Sequence, residues 1–181
     1  MGYLRSFVPW VAFAAVSTAD WRWGAAVGLF AAASSVLRGR RTGESADLLT
    51  VSTAGFFAVL TAVAFTDPGS PVRHWTAAAS VAWLAVTAWA SIAARKPFTL
   101  VIAKRTVPRE IWAKPAFLRI NTVLTAVWAA SFTLTAATLV ALREAGTGGG
   151  GASTAVQVLG FVLPALFTAR YPEYARRRAT A

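Results

Sequence analysis

The chain has 181 residues, of which 56% are hydrophobic and only 14% charged, with a net charge of +11. That balance excludes an ordinary soluble domain, in which about a quarter of residues are charged. Cysteine is absent and histidine occurs once, at His74, which excludes a disulfide framework, a thiolate metal site and a multi-histidine site within one chain.

Six charge-free runs cover residues 6–19, 23–37, 48–66, 75–94, 120–142 and 145–169. A bilayer-spanning helix needs ~20 apolar residues. The last four runs meet or nearly meet that length, and the first two are short. The expected fold is an all-α integral membrane bundle of about six transmembrane helices in a single domain, residues 1–181. The first apolar run has no small-residue cleavage site followed by a polar region, so it reads as structure and not as a signal peptide.

The first two runs meet at "STADWRWG". One helix from 6 to 37 would be ~48 Å long, against ~30 Å of hydrocarbon. A hairpin fits better, with Trp21 and Trp23 anchoring its turn at the interface. Before the third run stand Glu44 and Asp47, two of only seven acids in the chain. Between the third and fourth runs, "TDPGSP" at 66–71 predicts a tight turn. Residues 96–119 form the long connection. Its "PFTLVIAKRTVPREIWAKP" is too basic to span and too apolar for a plain loop, and predicts a helix over 98–112 lying on the inner leaflet. "GTGGGGAS" at 146–153 reads as a flexible linker. Pro164 predicts a kink in the last helix, because it removes one backbone hydrogen bond.

Basic residues alternate in number between successive intervals. Fifteen fall on one side, including Arg38, Arg40, Arg41, Lys96, Lys104, Arg105 and Arg109. The other side holds Arg22, Arg73 and Arg143. This positive-inside pattern places both termini in the cytoplasm. It also assigns the net charge to topology and to anionic membrane lipid, not to nucleic acid.

Lys96-Pro97, Pro108, Trp112, Lys114, Asn121 and Trp128 resemble the intracellular septation protein A family of bacterial inner-membrane proteins. "FVPWVAFA" and Glu44 are compatible with it, whereas Asp47 departs from its pattern. The resemblance covers most of the chain. It implies a small multi-pass protein of the bacterial cytoplasmic membrane, linked to the cell envelope and division, and it carries over no catalytic residues.

No metal spacing, nucleophile elbow, phosphate-binding glycine loop or cofactor motif is present, which leaves acids, aromatics and bases. Glu44 and Asp47, at i and i+3, share a helix face. They are either charges at a helix N-terminus, with Thr42 or Ser45 as cap, or a catalytic pair in which one carboxyl stays protonated. Trp83, Trp89 and Trp128 lie within helices, away from the ends. They are either core packing or the walls of a site that stabilises a cation. Lys96, Lys104, Arg105 and Arg109 are either topological charge or ligands of a phosphate or diphosphate headgroup. Read together, these features are similar in size, topology and acid placement to membrane-integral terpene cyclases. Such an enzyme would protonate a polyprenyl chain of farnesyl type and guide the carbocation with aromatic rings. The alternatives are a non-enzymatic septation-type envelope protein and a small transporter.

Overall fold

The computed structural model describes residues 7–41, 48–104, 107–147 and 151–180, with backbone alone for the last eight. Every regular element among them is helical: α1 (Val8–Ser17), α2 (Trp21–Arg41), α3 (Leu48–Thr66), a 3₁₀ turn (Pro71–His74), α4 (Thr76–Ala93), α5 (Phe98–Lys104), α6 (Arg109–Trp112), α7 (Pro115–Glu144) and α8 (Gly151–Thr180). Four of these are long and apolar enough to cross a membrane: α3, α4, α7 and the part of α8 up to Pro172. The chain thus has the make-up of an integral membrane protein. It divides into two compact units, residues 1–80 and 81–181.

In the first unit, residues 7–37 do not form one helix. The chain breaks at 18–20 and returns as α2, so the hairpin expected from length is present. Asp20 restarts the helix by accepting the Arg22 N–H at 2.8 Å, the role of a helix N-cap. Gly24 lets the two arms close. A Cβ there would stand 2.8 Å from the Ser17 Cβ and 2.9 Å from its backbone. At ten residues α1 is only ~15 Å long, while α2 ends in Arg38, Arg40 and Arg41. Neither is among the four: α1 is too short, and α2, although 21 residues long, is too charged. Next, α2 packs on α3 through Gly28, where a Cβ would meet the Phe57 ring at 2.5 Å. Trp10, Phe13, Phe56 and Phe57 cluster behind this contact, with ring centroids 4.8–5.4 Å apart.

The second unit centres on α7. The last turn of α4 closes with Lys96 N–H donating to the Ser91 carbonyl and Arg95 N–H to that of Ile92. This is the paired bond pattern of a Schellman cap, which usually takes glycine at its left-handed position. Here Arg95 holds that position, at φ 55°. Pro97 follows and cannot continue the helix. The same pattern ends α7, where Gly146 sits at φ 71°. Against α7, α8 packs closely. Gly160 abuts Thr135, and Ser131 donates to the Gly160 carbonyl at 2.9 Å. Small residues of this kind let membrane helices approach where no hydrophobic driving force acts between them. Pro164 is fully buried inside α8, which continues beyond it.

The connection expected as one helix over 98–112 contains two short helices, α5 and α6. Pro108 caps α6 in an extended conformation that no continuous helix permits. Phe98 and Ile102 are buried, as expected of its apolar side.

Candidate functional site

Of the residues singled out in the sequence, Thr42, Glu44, Ser45, Asp47 and Arg105 lie outside the described residues. The three tryptophans occupy different environments. Trp128 is buried at 3% exposure and donates its Nε1–H to Thr168 at 2.9 Å. Its ring packs with Phe132 and Phe161, whose own centroids are 5.2 Å apart. Trp83 and Trp89 are exposed by 40% and 47%, and Trp89 donates to the Thr133 hydroxyl at 3.2 Å. Much of both rings therefore lies on the outside of their unit.

The basic residues also separate. Lys96 is exposed beyond the α4 cap. Lys104 and Arg109 converge on one ring, standing 5.1 and 5.7 Å from the centroid of Trp112. Each gains from the negative face of the indole. Trp112 is itself held by Nε1–H donation to the Val107 carbonyl at 3.0 Å. The α5–α6 connection thus presents a positive cluster on an aromatic base.

Beside it lies a buried polar knot that composition does not reveal. Thr99 on α5 donates to the Asn121 carbonyl at 2.9 Å, and its hydroxyl oxygen is 2.8 Å from that of Thr125. Thr99 has a single hydroxyl proton, given to Asn121, so Thr125 is the donor between the two hydroxyls. Asn121 donates to the Phe117 carbonyl at 2.9 Å, and its Oδ1 has no partner among the described residues. All three side chains are buried.

The first unit carries a surface depression that the sequence does not reveal. The α1–α2 turn and the turn before α4 border it, and its volume is about 540 Å³. Ser17, Asp20, Trp21, Arg22, Arg73 and His74 are among its lining residues. Trp21 Nε1–H reaches the Pro68 carbonyl at 3.3 Å and joins the two turns. Arg22 grips Asp20 through Nε and Nη2, the shortest contact being 2.7 Å. These side-chain hydrogen bonds hold the Asp20 carboxyl below its ordinary range and raise the Arg22 guanidinium. Arg73 donates Nε–H to His74 Nε2 at 3.0 Å. The available sequence signal was slight: two of three arginines on the cation-poor side, one of them next to the single histidine. Their convergence requires two turns 47 positions apart to meet.

Comparisons with protein-family models, with curated proteins and with solved structures gave no match to this chain.

Proposed function

We propose that the protein is a non-enzymatic component of the bacterial cytoplasmic membrane, acting through lateral contacts of its helices, as the septation-type resemblance implies. In this reading the short α1–α2 hairpin enters the bilayer beside the four long apolar helices, and both termini are cytoplasmic. The observation that carries it is the exposure of Trp83 and Trp89. Tryptophan normally gathers at membrane interfaces; Trp83 stands mid-way along α4 and Trp89 one turn from its end, both with much of their surface outside their unit. Large aromatic side chains presented in this way are typical anchors of protein contacts.

The test is site-specific photocrosslinking in cells, with the probe at position 83 or 89. Defined protein adducts that disappear when the probe is moved to Val59 on α3 support the reading. Adducts to lipid alone sink it. Reporter fusions at residue 42 and the C-terminus should read cytoplasmic, and at residues 69 and 148 extracytoplasmic.

The second reading is the terpene cyclase. The buried rings of Trp128, Phe132 and Phe161 favour it, because a face of such rings stabilises a cation. Glu44 and Asp47 would supply the acid, and Lys96, Lys104, Arg105 and Arg109 would hold a polar head. Membranes containing the wild type should then convert a farnesyl-bearing substrate, while Glu44→Gln and Asp47→Asn abolish conversion. No conversion by the wild type removes this reading.

A further inference from the structure

We propose that the depression between the α1–α2 turn and the turn before α4 binds a phosphate group through Arg73. Two arginines line it, and their situations differ. The charge of Arg22 is matched by the bidentate grip on Asp20. Arg73 spends only Nε–H, on His74. Its terminal nitrogens, which carry the other four of the five guanidinium protons, have no partner among the described residues, and the side chain is exposed. That is the half of the fork suited to an oxyanion with two acceptor oxygens. By accepting from Arg73, His74 orients the guanidinium plane.

The walls are built to persist. Trp21 ties the two turns through Pro68, and Ser70 caps the 3₁₀ turn by accepting the Val72 N–H. The depression, about 540 Å³, is open to solvent, so a ligand reaches it directly from the water or the headgroup layer. Asp67 stands on the same turn with its carboxylate beside Gly69, so Asp20 and Asp67 balance Arg22 and Arg73. Diffuse attraction therefore does not recommend the site to an anion. Directional bonding by one guanidinium does.

The location selects phosphate among oxyanions. The charge pattern predicts this end to be extracytoplasmic, and Trp21 and Trp23 mark it as interfacial. Arginine on that side serves no topological purpose. Phospholipid phosphates lie at this depth, and free phosphate reaches it from the water. Both offer the same group to Arg73.

The test uses the purified full-length chain. In uncharged detergent without lipid, inorganic phosphate binding is measured by equilibrium dialysis. After reconstitution into mixed phosphatidylglycerol and phosphatidylcholine bilayers, retained phosphatidylglycerol is measured by native mass spectrometry. Arg73→Gln should weaken one of the two by roughly tenfold or more, the worth of a charged hydrogen-bonded pair. Loss in the first assay identifies free phosphate, and loss in the second a lipid headgroup. Arg73→Lys should recover part of the binding, because it keeps the charge without the fork. Arg143→Gln removes the remaining arginine of the cation-poor side and should change nothing. Equal losses for Arg73→Gln and Arg143→Gln would reduce the effect to bulk charge and overturn the proposal. So would wild-type behaviour of Arg73→Gln in both assays.

Discussion

The hydroxyl oxygens of Thr99 and Thr125 lie 2.8 Å apart and join the seven-residue α5 to the thirty-residue α7. A helix as short as α5 has little stability of its own. Its position depends on this bond, on the Thr99 bond to the Asn121 carbonyl, and on buried Phe98 and Ile102.

The direction of these bonds makes the two threonines unequal. Thr125→Val removes one donor and leaves Thr99 bonded to Asn121, so it should cost about 1 kcal/mol. Thr99→Val strips partners from both Asn121 and Thr125, and should cost about 2–3 kcal/mol. The double variant should lie close to Thr99→Val alone, well short of additivity. Thermal unfolding in detergent followed by circular dichroism measures all three. Equal single effects would contradict the donor assignment.

Gly28 and Gly55 provide a paired test of helix approach. At Gly28 a methyl group would meet the Phe57 ring at 2.5 Å, whereas at Gly55 nothing lies within 4 Å. Gly28→Ala should destabilise by about 1–3 kcal/mol through overpacking. Gly55→Ala should be neutral, or stabilising by up to about 1 kcal/mol, from helix propensity alone. Phe57→Leu should restore part of the loss in the Gly28→Ala background. Melting temperatures of the three variants and the wild type decide the matter.

Arg95 occupies a cap position that favours glycine, at φ 55°. If its side chain has no further role, Arg95→Gly should raise stability by up to about 1 kcal/mol. Arg95→Val should lower it, because β-branching is least tolerated there. A loss of stability in Arg95→Gly would show that the guanidinium contributes more than the backbone strain costs.

The Asp20–Arg22 pair predicts a pH dependence with a definite sign. The folded-state value of Asp20 is lowered below its ordinary 3.8, first by the Arg22 side-chain hydrogen bonds. The stability it adds is therefore fully present above about pH 4 and disappears as pH falls through the folded value. Unfolding of wild type and Asp20→Asn should differ at neutral pH and converge in strong acid. A difference that persists below both values would assign the effect to shape and not to charge. High salt should reduce the neutral-pH difference, because the pair is partly exposed.

Much of the architecture follows from composition, because a bilayer admits few backbone solutions. Charge-free runs of span length become helices, since unsatisfied backbone groups have no water to turn to. The runs 48–66, 75–94, 120–142 and 145–169 each coincide with one of the four apolar helices, to within a few residues. The break near residue 20 was legible for a related reason, because one helix would have been too long for the hydrocarbon core; that Asp20 caps the second helix came from the structure. The interruption of the 98–112 segment was foreshadowed by Pro108, although the segment's overall polarity suggested a single helix.

Tertiary structure alone decided which polar groups meet. Thr99 and Thr125 are unremarkable in a threonine-rich sequence, and nothing joins them to Asn121 until α5 folds back on α7 and shuts out water. Trp83, Trp89 and Trp128 look alike in their charge-free runs, but only Trp128 falls on a face that α8 covers. Arg22 and Arg73 stand 51 positions apart, and the packing of one turn against another brings them to a single depression. Hydropathy is a property of each segment by itself and can be read residue by residue. Side-chain convergence depends on the rotation and contact of separate helices, which closely seated glycines such as Gly28 and Gly160 help to set.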